Sequence, residues 1–110
     1  MTINFIIYLL FLHWVADFVL QTDAMAKEKS KDNRVLALHC IVYGSIFAIG
    51  TFNFALALLL GLIHFPVDYV TSRINSKLYK AGKNHYFFVS IGFDQWIHFA
   101  TILLLGKALL

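Results

Sequence analysis

The apolar run from Val35 to Val70 limits this chain to membrane folds. Only six of its 36 residues have ionisable side chains, and two of those six are tyrosines. At 1.5 Å per residue, such a run is long enough for two bilayer crossings of roughly 18 residues each. The whole chain is 60% hydrophobic and 14% charged, whereas a soluble domain carries about 25% charged residues. We therefore expect an integral membrane protein.

Four apolar segments predict an all-α fold, a four-helix membrane bundle that forms a single domain over residues 1–110. The expected spans cover residues 3–20, 35–49, 54–70 and 87–105. Residues 50–53, Gly-Thr-Phe-Asn, are expected to form the tight turn between the second and third spans, since Gly and Asn permit sharp reversals. Pro66 lacks a backbone donor, so a kink is expected inside the third span.

The basic residues predict the orientation of the bundle. Eight of the nine lie in two segments, residues 21–34 and 71–86, which four crossings place on the same side of the membrane. The positive-inside bias makes that side cytoplasmic and leaves both termini outside. This topology also accounts for the net charge of +3, so we expect the lipid bilayer as a partner and no nucleic acid. No basic cluster or cleavage site marks the first span as a removable signal peptide.

Seven ionisable residues lie inside the apolar segments, and six of them form pairs spaced by four residues. A spacing of four puts both members on one helix face, one turn apart, which is how a helix presents two ligands to one metal ion. The seven residues lie near the ends of the first and third spans and near the starts of the second and fourth. Because the spans alternate in direction, these depths place all seven in the cytoplasmic leaflet. The sequence therefore predicts a metal site inside the bundle. The expected ligands are the pairs His13 and Asp17, His64 and Asp68, and Asp94 and His98, together with the single His39.

The chemistry of these seven residues favours a transition metal. An Asp near the middle of a membrane helix costs about 2.5–3.5 kcal/mol, so three of them need compensation. Four His and three Asp suit zinc, manganese or iron better than calcium or magnesium, and we expect one or two zinc ions. Metal-bound water loses its proton near neutral pH, which predicts a metal-dependent hydrolase. One or two of the Asp residues could instead orient ligating imidazoles.

Polar residues border this site and predict its substrate. Gln21, Arg73 and Gln95 are expected at the rim, where they would bind a phosphate or another anionic headgroup. Hydrolysis of an ester or phosphoester in an amphiphilic substrate at the cytoplasmic leaflet follows from this placement. A His/Asp network without metal, which stabilises the bundle or relays protons, is the alternative. Haem binding is disfavoured because three carboxylates add charge that a haem iron does not need.

Four stretches of the chain resemble a family of small, uncharacterised integral membrane proteins of phages and bacteria. They are residues 13–29, LHCIVY around His39, residues 64–73 and residues 85–101. The resemblance covers nearly the whole chain and implies no activity, because the family is a domain of unknown function. Helix-borne His and Asp residues are also similar to those of bacterial membrane-bound metal-dependent hydrolases. We expect a multi-pass protein of the bacterial inner membrane, open to homo-oligomer formation. A non-catalytic phage factor affecting envelope permeability or superinfection is the alternative function.

Overall fold

The computed structural model describes all 110 residues, and its secondary structure is entirely helical, which confirms the expected all-α class. Helix α1 spans Ile3–Trp14 and continues as a π-helical segment over Val15–Val19, α2 spans Asp23–Glu28, α3 spans Asn33–Thr51, α4 spans Phe54–Lys80 and α5 spans Asn84–Leu109.

Three helices, α3, α4 and α5, are long and apolar enough to cross a membrane. Helix α1 with its π-helical segment forms a shorter apolar helix over residues 3–19. At 1.5 Å per residue it reaches at most about 26 Å, which is less than the roughly 30 Å of a bilayer core. Large apolar side chains are exposed on the outside of the bundle, among them Ile41, Leu62 and Trp96. Membrane association is therefore indicated, with three helices of full spanning length where four had been expected.

The reversal between α3 and α4 is tighter than the sequence suggests. Gly50 and Thr51 are still helical, so the expected four-residue turn is wrong and only Phe52 and Asn53 lie between the helices. Phe52 takes the left-handed conformation with φ 53°, a conformation that residues with a Cβ adopt only at a steric cost. The Asn53 side chain accepts a hydrogen bond from the backbone N–H of Leu56 and so caps α4.

Helix α4 does not end where its apolar sequence ends. The expected span stopped at residue 70, but the helix continues to Lys80, and Pro66 does not interrupt it. The segment 71–86, expected to be a loop, is therefore helical except for residues 81–83. A drop in hydropathy marks where a helix leaves an apolar environment, and it does not mark where the helix ends. The added turns of α4 carry polar side chains over one end of the bundle.

The helices form a ring in which α1 packs against α3 and α5, α3 against α4, and α4 against α5. Two glycines permit the close contact of α3 with α4. A Cβ at Gly44 would lie 3.1 Å from the carbonyl oxygen of Ala57, and one at Gly61 would lie 3.2 Å from that of Cys40. Small residues are typical of closely packed membrane helices. The short α2 packs against α3 and lines a cavity at one end of the bundle together with residues of α4 and α5.

Candidate metal centre

All seven ionisable residues of the apolar segments lie in one buried cluster. Each exposes 7% or less of its surface, although three of them are carboxylic acids. Four parts of the bundle supply them: α1 with its π-helical segment, α3, α4 and α5. The members are His13, Asp17, His39, His64, Asp68, Asp94 and His98. The structure thus joins three pairs and a single residue that are distant in sequence.

Asp17 enters the cluster from the π-helical segment that ends the first helix. Its Oδ1 lies 2.9 Å from Nε2 of His39 and 3.5 Å from Nε2 of His64. Its Oδ2 lies 3.7 Å from Nε2 of His13, the residue expected to share its helix face. The expectation of a regular α-helix to residue 20 is therefore wrong at this point. Single π-helical turns are rare and occur frequently at functional sites, and this one joins Asp17 to α3 and α4.

Four residues, which we call the four-residue group, have ligand atoms within 4.8 Å of one another: Asp17, His39, His64 and Asp68. His39 Nε2 lies 3.1 Å from His64 Nε2 and 3.3 Å from Asp68 Oδ2. His64 Nε2 lies 3.2 Å from that same oxygen. A tetrahedron with metal–ligand bonds of about 2.0–2.1 Å has edges of about 3.3–3.4 Å. With the two Asp17 distances, five of the six edges are between 2.9 and 3.5 Å, close to that shape.

Hydrogen bonds alone do not satisfy the four-residue group. A carboxylate donates no proton, and a neutral imidazole donates one. Protons on Nε2 of both His39 and His64 would direct two N–H groups at each other across 3.1 Å. A deprotonated Nε2 would instead direct its lone pair at a carboxylate oxygen. The Nδ1 atoms of both rings are buried without a partner, so no bond on the far side selects a tautomer. A cation between the four atoms would remove this conflict.

A second group of three residues, Asp17, Asp94 and His98, also has ligand atoms within 4.8 Å of one another. His98 Nε2 lies 3.2 Å from Asp94 Oδ1 and 3.2 Å from Asp68 Oδ1. Asp17 thus belongs to both groups, and the two oxygens of Asp68 face one group each. The two carboxylates connect the groups in the manner of bridging ligands. Three protein ligands with an open position are typical of catalytic zinc sites.

His13 belongs to neither group and is held by neutral side chains. Its Nδ1 lies 2.8 Å from the Tyr43 hydroxyl, and its Nε2 lies 2.7 Å from Oε1 of Gln95. One tautomer satisfies both contacts, with Tyr43 donating to Nδ1 and Nε2–H donating to Gln95. The Gln95 amide nitrogen lies 3.2 Å from Asp94 Oδ2 and 3.5 Å from Asp17 Oδ2. His13 therefore lies within a hydrogen-bond chain from Tyr43 to Gln95 that orients two carboxylates.

Lys29 is a charged member of the cluster that sequence reasoning missed. Its Nζ donates to Asp68 Oδ2 at 2.9 Å, and its side chain is only 14% exposed. Burial lowers the pKa of this ammonium, but the nearby carboxylates, Asp68 and then Asp17, raise it more, so the pKa is raised overall. Nothing in the sequence separates Lys29 from the other lysines of its segment. Only the packing of α2 on α3 directs it inward. It reduces the formal charge of the three carboxylates from −3 to −2.

Two further residues support the cluster without being ionised. The Tyr43 ring stacks on the imidazole of His64 with 3.9 Å between ring centroids. The Thr71 hydroxyl donates to Asp94 Oδ1 at 2.6 Å. Tyrosine and threonine are ordinary residues of membrane helices. The sequence therefore contains no distinctive signal for the role of Tyr43 or of Thr71.

The three residues expected at the rim differ in position. Gln95 lies inside the hydrogen-bond network described above. Gln21 lines a cavity next to the cluster, and its Oε1 is buried without a partner. Arg73 donates to the Tyr69 carbonyl at 3.0 Å and to Asn33 Oδ1 at 2.9 Å, with its guanidinium over the Tyr69 ring. Arg73 therefore joins α4 to α3 and contacts neither the cluster nor the cavity.

The cavity has a volume of about 570 Å³ and lies at the end of the bundle covered by α2. Asp17, Asp94 and Gln95 lie in its wall, whereas His39 and His64 do not. Two of the three members of the second group, Asp17 and Asp94, therefore face an accessible space, whereas the four-residue group reaches the cavity only through the shared Asp17 and is otherwise enclosed by protein.

The chain belongs to the family described as "Protein of unknown function (DUF3307)", whose model matches residues 5–109. No curated protein and no solved structure matches the chain. The expected resemblance to a domain family of unknown function is thereby confirmed. Phage origin, likeness to hydrolases and metal binding by the seven residues stay predictions. The function must therefore be inferred from the site itself.

Proposed function

We propose that this protein is a multi-pass membrane protein that binds divalent transition metal, zinc first, and hydrolyses an ester or phosphoester of an amphiphilic substrate. The observation that carries the proposal is the four-residue group. Its two imidazole nitrogens and two carboxylate oxygens match the ligands that zinc prefers, at spacings close to those of a tetrahedral site. The four facing atoms have too few N–H donors to satisfy one another, which supports a cation between them over a network of hydrogen bonds.

The enclosed four-residue group is the proposed position of the first ion. A second ion fits between Asp94 and His98, with Asp17 and Asp68 shared by both ions. The three carboxylates and Lys29 have a formal charge of −2, which a single divalent ion balances. Two such ions and one hydroxide leave +1, a charge that an anionic substrate neutralises. In this proposal the first ion stays bound, and the substrate completes the coordination of the second ion.

The second group has the position suited to catalysis. It faces the cavity, so water bound there would be accessible to a substrate and would lose its proton near neutral pH. The chain from Tyr43 through His13 and Gln95 would hold Asp17 and Asp94 in place. In this proposal His13 positions ligands, and the other six residues of the cluster bind metal.

The lysines at the cavity end of the bundle support a location in the cytoplasmic leaflet of a bacterial inner membrane, since basic residues concentrate on the cytoplasmic side. A substrate would then enter from that leaflet.

A non-catalytic membrane factor, as in a phage function, is the second candidate. Two observations favour it: four enclosed protein ligands are typical of structural zinc sites, and a chain of Tyr, His, Gln and Asp side chains is suited to relaying protons. In that case metal or the network would stabilise the bundle, and no substrate would turn over.

Metal content tests the first part of the proposal. Protein purified in neutral detergent is expected to retain one or two zinc ions per chain by elemental analysis. The His64→Ala variant should lose most of them, and the exposed His85→Ala variant should keep them, since His85 lies outside the cluster. Metal-free wild-type protein whose melting temperature is unchanged by zinc and by chelator would contradict the hydrolase and a structural metal, and would leave only the metal-free network.

Turnover separates the two candidates. We expect the metal-loaded protein to hydrolyse a chromogenic phosphodiester or carboxylic ester presented in micelles, and a chelator should abolish this activity. The His98→Gln variant should lose turnover but keep the ion of the four-residue group, because His98 belongs only to the second group. Circular dichroism would verify that the variant is still helical. Retained metal with no turnover on any ester class in the wild type would favour the structural candidate.

A further inference from the structure

The cavity beside the second group contains polar atoms that have no partner within the protein. Three oxygens in its wall are buried without a hydrogen bond: Oε1 of Gln21, Oγ of Ser72 and Oδ1 of Asn75. Ser72 as a whole residue is only 8% exposed. Buried polar groups are almost always hydrogen-bonded, so three orphans in one cavity indicate a site that suits a polar molecule. The two amide oxygens accept hydrogen bonds, so a molecule with donors such as hydroxyl groups would pair with them.

The charges around the cavity select an anion. Four lysines line it, at positions 27, 29, 31 and 80, against the carboxylates of Asp17, Glu28 and Asp94. Metal ions at the proposed centre would make the space more positive still. A phosphate group has several oxygens that can accept from several lysines at once, and lysine is a common phosphate ligand. The extra turns of α4 carry Lys80, Asn75 and Ser72 to this place.

The apolar part of the cavity wall indicates that the anion is attached to a hydrophobic group. Phe18, Phe87 and Ile91 line the cavity together with the lysines. Phe18 is 48% exposed. Residues of α2 and of α5 both line the cavity, so the cavity itself separates the two helices on this side. A chain lying along Phe18 and Phe87 could enter the cavity from the surrounding lipid while its headgroup contacts the lysines.

We infer that this cavity binds a phosphate ester whose headgroup carries hydroxyl groups, as in a glycerol phosphate lipid. The inference rests on the proposed function, because it names the substrate class of the same site. The phosphate would contact the lysines and the second group, and the hydroxyl groups would donate to the orphaned oxygens of Gln21 and Asn75. The same chemistry exists in a membrane lipid and in a soluble phosphate ester, so an experiment must compare the two.

The test measures ligand binding and therefore does not depend on turnover. Protein in neutral detergent is titrated with dioctanoyl phosphatidylglycerol, with glycerol phosphate and with sodium octanoate, and its metal content is measured on the same sample. The double variant Lys31→Gln/Lys80→Gln removes two lysines from the cavity wall. The matched variant Lys77→Gln/Lys83→Gln removes two exposed lysines from outside the cavity at the same end of the bundle. A third variant, Asn75→Ala, removes an orphaned acceptor.

We expect saturable binding of phosphatidylglycerol, with a Kd at least tenfold higher in the cavity variant, several-fold higher in Asn75→Ala and within twofold of wild type in the matched variant. Stronger binding of the lipid than of glycerol phosphate would identify a lipid ligand, and equal binding would identify a soluble ester; both support a phosphate site. Equal loss of lipid affinity in the two lysine variants would overturn the inferred phosphate site. Octanoate binding as strong as that of phosphatidylglycerol would overturn it as well. Normal lipid binding by metal-free protein would leave the inference standing while the proposed metal site fails.

Discussion

Replacing Lys29 by methionine is expected to tighten metal binding while it destabilises the metal-free protein. The Lys29 ammonium lies 2.9 Å from Asp68 Oδ2, the oxygen that also faces His39 and His64. An ion in the four-residue group would bind the same oxygen at about 2.1 Å and would therefore lie about 4 Å from Nζ. The lysine and the metal thus compete for one carboxylate.

The size of this competition follows from Coulomb's law. Charges of one and two units about 4 Å apart repel by about 2 kcal/mol at the dielectric constant of water and about 8 kcal/mol at an effective value near 20. The Lys29 side chain is 14% exposed and can swing toward solvent, which relieves part of the repulsion. The lower figure is therefore the minimum expected, and about 2 kcal/mol corresponds to roughly 30-fold tighter binding in Lys29→Met.

The metal-free protein should respond in the opposite direction. Without Lys29, the Asp68 carboxylate, which is 1% exposed, loses its only lysine or arginine partner. Breaking a buried ion pair costs about 3–5 kcal/mol, and the lower end applies because imidazoles stay next to Asp68. The melting temperature of the chelated variant should therefore fall, and zinc should restore it.

Competition with a chromophoric zinc chelator in detergent measures the Kd, and thermal unfolding with and without zinc measures the stability. Lys77→Met is the control, because it removes the same charge from an exposed position on α4. A zinc Kd that rises in Lys29→Met, or that changes by less than twofold, would refute the placement of an ion next to Asp68.

Two further predictions concern the bundle. Gly61→Val should lower stability by about 1–3 kcal/mol in thermal unfolding, because a Cβ there would lie 3.2 Å from a backbone carbonyl oxygen. The control Gly92→Val should unfold near the wild-type temperature, because a Cβ there meets nothing within 4 Å. Equal loss of stability in both variants would contradict the close contact of α3 with α4. The second prediction concerns topology and uses single cysteines in a Cys40→Ser background. In intact cells the Phe52→Cys variant, at a position 79% exposed, should react with an impermeant thiol reagent, and Lys83→Cys should not. The reverse pattern would move the cluster to the outer leaflet.

The sequence alone determined the helical class, the apolar character of the long helices and the assembly of the seven-residue cluster. These properties depend on local patterns. Hydropathy reports the environment of each segment, and a spacing of four residues places two side chains on one helix face whatever the rest of the chain does. Because neighbouring helices alternate in direction, distance along each span also predicted that His39 would meet the three pairs.

Tertiary structure decided which atoms meet. The partners of a buried side chain depend on how each helix is rotated and how closely it packs, and these depend on contacts such as the one between Gly44 and Gly61. For this reason the sequence did not separate His13, held by Tyr43 and Gln95, from the residues of the two groups. It also could not distinguish Lys29, which packing directs inward, from lysines of the same segment that stay in solvent, since both have the same local sequence character.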